Sequence, residues 1–141
     1  MALAREHPGR VSGVSGRRRT SSGSSYEARY GFCRAVLVGD RVVVSGTAPI
    51  WPDGSCDPSA SAQTARCLEI IGEALRELGA SLPDVVRTRM FIVDLGDQDA
   101  VGKVHREVFG NTPPASTMVV VAALLDDRWR VEIEAEAQLG G

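Results

Sequence analysis

Residues 129–139 read Trp-Arg-Val-Glu-Ile-Glu-Ala-Glu-Ala-Gln-Leu, and apolar and polar side chains alternate strictly along this stretch. Successive side chains of a β-strand point to opposite faces, so the alternation predicts a strand with one buried and one polar face. The preceding residues, Asp126-Asp127-Arg128, are typical of a turn. A strand of this kind needs neighbouring strands and a second layer over its apolar face.

The residues upstream predict those neighbouring strands. Residues 35–38 and 41–45 are rich in valine and flank Gly39-Asp40, which is a hairpin signal. Residues 85–93 form another β-branched run, and residues 117–125 form a nearly unbroken apolar one. We therefore expect four further strands.

Two segments have helical spacing instead. Apolar residues at 65, 68, 71, 75 and 78 recur every three or four positions, Ser59 or Ser61 can cap the start, and Gly79 can end the helix. A second helix is predicted from Asp97 as cap to Phe109, with Gly110-Asn111 ending it.

The order β-β-α-β-α-β-β predicts a two-layer α+β fold with a mostly antiparallel, mixed sheet and two helices on one face. Residues 118–123 are apolar on both faces, although two helices can cover only one. We expect another copy of the chain to cover the other face; a different partner or a folded-back loop is the alternative.

Composition indicates one cytoplasmic domain. The chain has 141 residues, a net charge of -2 and three cysteines without a C-x-x-C pair, which fits a reducing compartment. No stretch approaches the roughly 20 apolar residues of a membrane span. Residues 1–25 are rich in Arg, Ser and Gly and are expected to be a flexible tail, with a single domain over 26–141.

Metal and cofactor sites are not expected. The two histidines, His7 and His105, lie far apart, and no His/Cys/Asp cluster has metal-ligand spacing. Phosphate-binding and dinucleotide-binding glycine motifs are absent from the sequence, as is a nucleophile-elbow motif. The arginines at 17–19 are expected to be solvated, with a contact to RNA or an acidic partner as the alternative.

Five features in order carry a resemblance to a known family: Val44-Ser45-Gly46, Gln63-Thr64, Asp84-Val85-Val86-Arg87, Pro114-Ala115 and residues 131–135 (Val-Glu-Ile-Glu-Ala). Over residues 26–139 the chain resembles the Rid family, also called YjgF or L-PSP. The resemblance implies a chorismate-mutase-like fold, a homotrimer with three intersubunit clefts, and hydrolysis of 2-imino acids or their enamine tautomers to 2-keto acids and ammonia.

The chain departs from that family at the position of the residue that binds the substrate carboxylate. Family members of the RidA type have an arginine directly after Pro-Ala, where this chain has Ser116. The pocket tyrosine corresponds to Phe32, followed by Cys33, an asparagine corresponds to Gly102, and a nearby aromatic position is His105. Glu132 is kept. The chain therefore resembles a subgroup that lacks the substrate-binding arginine.

Candidate site residues follow from these positions. Glu132 is a candidate general base, with an ion pair to Arg87 or Arg89 as its structural alternative. Ser116 and His105 are further catalytic candidates, and Arg89 is a candidate replacement for the missing charge. The candidate substrate-binding residues are Phe32, Cys33, Gly46, Thr117 and Arg89. Buried packing is the alternative for Cys33, and a surface position is the alternative for His105.

The predicted function is cofactor-independent, water-mediated hydrolysis of a small imine, enamine or carbonyl compound other than ordinary 2-imino acids. The alternatives are a biosynthetic enzyme for an imine or a cyclisable intermediate, and a non-catalytic ligand-binding trimer. RNA cleavage ranks last, because the five arginines within residues 1–25 leave the remainder acidic. No membrane partner is expected.

Overall fold

The computed structural model describes residues 11–14 and 16–140, and these form one mixed seven-stranded sheet with three helices. The strands are β1 (Val11–Val14), β2 (Arg17–Thr20), β3 (Ala35–Val38), β4 (Arg41–Thr47), β5 (Val85–Ile92), β6 (Ala115–Val120) and β7 (Val131–Gln138). The helices are α1 (Ser25–Tyr30), α2 (Ala60–Glu77) and α3 (Gln98–Phe109), with short 3₁₀ helices at Leu82–Asp84 and Leu95–Asp97. The strand order is β1-β2-β3-β4-β7-β5-β6, and only β5 and β6 pair in parallel.

The two-layer α+β prediction is confirmed. Strand β7 lies near the centre of the sheet, between β4 and β5. Its apolar side chains, Val131 to Ala137, are buried beneath α2 and α3, whereas its glutamates alternate onto the other face. The strict alternation of residues 131–138 therefore reflects a strand covered by helices on one face only.

The predicted boundaries of α2 are also confirmed. The Ser59 side chain accepts a hydrogen bond from the Ala62 amide at 3.2 Å, so Ser59 rather than Ser61 is the cap. Gly79 follows the helix with φ of +87°, a conformation that glycine adopts without strain.

Asp97 precedes α3, but its carboxylate does not cap the helix. It binds the Arg130 guanidinium instead, with both contacts at 2.9 Å. A two-point ion pair with Arg130 replaces the expected helix cap, because a guanidinium offers two donors to one carboxylate.

The prediction of a flexible tail is wrong for its second half; its first ten residues lie outside the described residues. Strands β1 and β2 form a hairpin, and β2 continues the sheet along β3. Helix α1, beginning within the predicted tail, was missed as well. Backbone pairing at a sheet edge needs no apolar side chains, so the arginines of residues 17–19 do not prevent a strand.

The last two predicted strands are shorter than expected. Strand β6 ends at Val120, and the Val121 amide donates to the Ile92 carbonyl at 2.8 Å. Since β5 ends at Ile92, residues 122–125 have no neighbouring strand to pair with. Residues 129 and 130 likewise precede β7 rather than belonging to it.

The sheet face away from the helices carries exposed valines at its centre and edge. Val43, Val86 and Val119 are 38–46% exposed. Among the described residues, no helix combines the length and apolar character that crossing a lipid bilayer requires. The same face carries the ion pairs Arg41–Glu136 and Arg89–Glu134. It is the face that a second copy is predicted to cover.

Candidate functional site

A cavity of about 500 Å³ lies beside the end of β4, between α1, α2 and the segment that precedes β7. A volume of this size accommodates a small molecule. Its wall includes polar, charged and aromatic side chains. Those used below are Phe32, Arg34, Gly46, Trp129 and Glu132.

Arg34, which the sequence analysis missed, is the most buried charged group of this wall, at 5% exposure. Its Nη1 donates to the Gly46 carbonyl at 2.7 Å and to Thr47 Oγ1 at 2.9 Å. Its Nε lies 3.4 Å from the carboxylate of Glu27, which is also 5% exposed. Arg34 therefore ties the end of β4 to α1.

The Ser24-x-x-Glu27 spacing is a sequence signal that could have predicted α1, since it is typical of a helix N-terminus. Ser24 caps α1, and the Glu27 carboxylate accepts from the amide and hydroxyl of Ser22. Nothing in the sequence pairs Glu27 with Arg34, because β-turn and helix signals are local.

Gly46 lies where β4 bulges against β7. Val44 faces Ala135 and Thr47 faces Ile133, so the register shifts between these pairs. A Cβ atom at Gly46 would overlap the Glu132 carboxylate and lie 3.3 Å from its Cδ. The absence of a Cβ at Gly46 lets the carboxylate pack directly on the backbone.

Glu132 is a half-buried carboxylate in the cavity wall. Within residues 16–140 its side chain takes part in no hydrogen bond or ion pair. Burial raises the pKa of Glu132, against the opposing attraction of Arg34. The carboxylate is thus free to accept a hydrogen bond or a proton from a molecule in the cavity.

The predicted alternative, a pairing of Glu132 with Arg87 or Arg89, is wrong. Arg89 pairs with Glu134 at 2.9 Å, and Arg87 approaches Glu136 at 3.8 Å. Phe91 lies opposite Glu132, and the two arginines lie two and four residues before Phe91, opposite Glu134 and Glu136.

Phe32 lines the cavity, and the Arg34 guanidinium carbon lies 5.5 Å from its ring centroid. Cys33 is partly buried, and its carbonyl accepts a 2.7 Å hydrogen bond from Ser45 Oγ. Burial raises the pKa of the Cys33 thiol, so the thiolate needed for nucleophilic attack is scarcer than for a free cysteine.

A second group, here called the hydroxyl cluster, consists of Thr88, His105 and Ser116. Thr88 Oγ1 lies within hydrogen-bond distance of both neighbours, 2.7 Å from Ser116 Oγ and 2.8 Å from His105 Nε2. Ser116 is exposed, His105 is half-buried and Thr88 is fully buried. Thr88 was missed because an isolated threonine on the helix-facing side of a strand predicts only packing.

His105 packs against the Phe109 ring, with ring centroids 4.7 Å apart. Burial lowers the pKa of the imidazole, which favours its neutral form. His105 is thus the inner end of a polar chain rather than a free surface side chain.

Arg89 and Thr117 lie side by side in the parallel ladder between β5 and β6. Arg89 pairs with Glu134, whereas the Ser116 hydroxyl bonds to Thr88 across the same ladder. Neighbouring residues of a strand point to opposite faces. Within one chain, the structure does not bring Arg89 to Ser116.

The predicted residues therefore fall into two groups. Phe32, Gly46 and Glu132 meet around Arg34 in the cavity, and Ser116 and His105 meet through Thr88 outside it. Trp129, expected in the core, is 5% exposed and also borders the cavity.

Comparison with known proteins places this arrangement in a family. The family model described as endoribonuclease L-PSP matches residues 22–139. A structure described as a member of the YjgF/YER057c/UK114 family from Mycobacterium tuberculosis is 41% identical, with a TM-score of 0.81 over 87% of this chain and 99% of that one.

Two further relatives extend the comparison. The 2-iminobutanoate/2-iminopropanoate deaminase of Rattus norvegicus is 33% identical over 87% of this chain and 91% of its own length. The YjgF gene product of E. coli is 28% identical with a TM-score of 0.72, over 77% of this chain and 87% of that one. The chain belongs to the Rid family, which comprises the YjgF and L-PSP proteins.

Proposed function

We propose that this protein hydrolyses the C=N bond of a small imine, or of the imine tautomer of an enamine, that carries no α-carboxylate, without a cofactor. The observation that carries the proposal is Glu132, a half-buried carboxylate with no partner within residues 16–140, in the wall of a cavity of about 500 Å³. A relative of this chain is named as a deaminase of 2-imino acids, which fits C=N chemistry at such a carboxylate.

Glu132 acts as the general base. It accepts a proton from a water molecule as the water oxygen attacks the imine carbon and the C=N electron pair moves to nitrogen. Glu132 returns that proton to the nitrogen, which gives a neutral carbinolamine. Glu132 then accepts the proton of the carbinolamine hydroxyl and passes it to the nitrogen as the C–N bond breaks, so that ammonia or an amine leaves and a carbonyl compound remains. A pKa raised by burial makes Glu132 a stronger base than an exposed glutamate.

Substrate choice follows from Ser116. A guanidinium grips a carboxylate through two charge-assisted hydrogen bonds, whereas a serine hydroxyl offers one neutral donor. Losing charge-assisted hydrogen bonds costs on the order of 1.5–3 kcal/mol, or roughly ten- to several-hundredfold in affinity. An α-carboxylate is therefore poorly bound at this position.

The complete site requires a second copy of the chain. Within one chain the hydroxyl cluster contributes no residue to the cavity wall. Exposed valines on the open sheet face provide an apolar surface for self-association. A homotrimer with intersubunit clefts would place the Ser116 of one protomer beside the Glu132 of its neighbour.

A trapping assay tests the proposal. A flavin amine oxidase acting on benzylamine releases an imine without a carboxylate, and semicarbazide competes with the protein for it. We expect the wild-type protein to reduce semicarbazone formation. The Glu132→Gln variant should be at least about tenfold less effective in this reduction. The control Glu107→Gln, at an exposed position of α3, should be as effective as the wild-type protein.

If semicarbazone forms as fast with the wild-type protein as in buffer alone, the proposal is contradicted. If the protein also bound the imine's stable amine analogue under those conditions, the non-catalytic ligand-binding function would replace it.

A further inference from the structure

The hydroxyl cluster forms a continuous hydrogen-bonded chain from an exposed side chain to a half-buried imidazole. Ser116 stands at the outer end, Thr88 in the middle at 0% exposure, and His105 at the inner end. The two contacts measure 2.7 Å and 2.8 Å, both within the normal hydrogen-bond range.

Counting hydrogens leaves two arrangements for this chain, because each hydroxyl has one hydrogen to donate. If Thr88 donates to Ser116 Oγ, the ring donates to Thr88 and Nε2 carries the hydrogen. If Ser116 donates to Thr88, Thr88 donates to the ring and a neutral imidazole carries its hydrogen on Nδ1. Only the first arrangement leaves the Ser116 hydrogen available to a ligand.

We propose that His105 and Thr88 are positioning residues that direct the Ser116 hydrogen outward, toward a neutral hydrogen-bond acceptor such as an imine nitrogen or a carbonyl oxygen. The Ser116 oxygen is already occupied as acceptor by Thr88, so its own hydrogen is the donor left for a ligand. Every bond in the chain has the same direction, and such chains reinforce one another.

This proposal rests on the proposed function, and it names the group that Ser116 recognises there. Ser116 donates to the nitrogen of a neutral imine while the carbon is attacked, and no proton passes through Thr88 or His105. The cluster itself contains no cationic side chain. It therefore favours an uncharged acceptor over a carboxylate.

The ring tautomer of His105 gives a direct test. In ¹⁵N-labelled full-length protein, with the resonance assigned by His105→Gln, we expect the Nε2–H tautomer. In Ser116→Ala, the Thr88 hydrogen is released from Ser116 and can turn to the ring, so the population should shift toward Nδ1–H. An Nδ1–H tautomer, or a freely exchanging mixture, in the wild-type protein would overturn the proposal.

Turnover of the benzylamine-derived imine provides the second test. We expect Thr88→Val to lower kcat/KM about tenfold, and Thr88→Ser, which keeps the hydroxyl, to restore it to within about threefold of wild type. Thr64→Val is the matched control, because Thr64 is also fully buried but bonds only to its own helix at the Ala60 carbonyl.

Equal rates for Thr88→Val and Thr64→Val would refute a positioning role. If Thr88→Val does not fold, the wild-type and Ser116→Ala spectra still decide the direction of the chain. If the wild-type protein hydrolyses no imine, the proposed function fails, whereas the tautomer measurement still tests this inference separately.

Discussion

The cavity and the hydroxyl cluster organise polar side chains in opposite ways. At the cavity, Arg34 and Glu132 both lie against Gly46, and Glu27 pairs with Arg34 without lining the cavity itself. Glu27 and Arg34 are each only 5% exposed. The hydroxyl cluster contains neutral groups, connected in a line that ends in solvent. The proposed base therefore depends on buried charges and the proposed recognition group on neutral hydrogen bonds, so each can be altered without removing the other.

Removing the charge of Glu27 should give the largest effect. Glu27→Gln leaves the buried Arg34 guanidinium without its carboxylate, and breaking a buried ion pair costs about 3–5 kcal/mol. We expect the free energy of unfolding in urea to fall by about 3 kcal/mol.

The exposed pair Arg89–Glu134 supplies the control for that measurement. Glu134→Gln should cost at most about 1 kcal/mol, because side chains 43% and 34% exposed are screened by water. Equal losses for Glu27→Gln and Glu134→Gln would show that burial does not distinguish the two pairs.

Gly46→Ala should separate activity from stability in the cavity. The new Cβ would overlap the Glu132 carboxylate, which can swing away because it ends a flexible side chain. Since a displacement of about 1 Å can cost up to a hundredfold in rate, we expect imine turnover to fall at least tenfold. The urea midpoint should change little; wild-type turnover would show that the position of Glu132 is unimportant.

The pH dependence of kcat/KM should reflect the ionisation of Glu132. Burial raises its pKa, so kcat/KM should rise with pH through a value above that of an ordinary glutamate, and Glu132→Gln should lose this limb of the profile.

The stability of the folded protein should change with pH in the opposite direction to kcat/KM. Because the folded pKa of Glu132 is raised, its stabilising contribution is complete below the unfolded pKa and is lost as pH rises through the folded one. The wild-type protein should therefore lose stability relative to Glu132→Gln over that range in urea titrations. A pH-independent difference between the two proteins would contradict the assigned pKa shift.

Gly102→Ala should have the smallest effect, and it should raise the free energy of unfolding rather than lower it. A Cβ at Gly102, inside α3, would have Met118 Cε as its nearest neighbour at 4.0 Å. Replacing a helix-interior glycine by alanine stabilises by about 0.5–1 kcal/mol. A loss of stability on thermal unfolding would mean that α3 packs more tightly against β6 than this distance indicates.

Local sequence patterns were sufficient to predict the elements that bury one regular face. The alternation of residues 131–138 and the spacing from Ser59 to Gly79 predicted β7 and α2, because period and caps are properties of short segments. Strand β2 could not be predicted in the same way, since its stability comes from backbone pairing with β3.

The site was predicted only in part, for a related reason. Glu132, Gly46 and Ser116 were found through the family resemblance, but Arg34 and Thr88 connect them through contacts across the fold. Arg34 meets Glu27 from another element, and Thr88 joins residues 17 and 28 positions away. Such pairings depend on tertiary packing, for which a single sequence carries no periodic signal.

A neutral donor at Ser116 should exclude substrates with an α-carboxylate. The most direct measurement compares kcat/KM for the benzylamine-derived imine and for 2-iminobutanoate in the wild-type protein, Ser116→Arg and the control Thr112→Arg, which adds the same charge at an exposed turn. We predict that the wild-type protein prefers the carboxylate-free imine and that Ser116→Arg alone gains at least about tenfold on 2-iminobutanoate. A wild-type protein that hydrolyses 2-iminobutanoate as efficiently as the other imine, or a Ser116→Arg variant with no gain, would contradict the account.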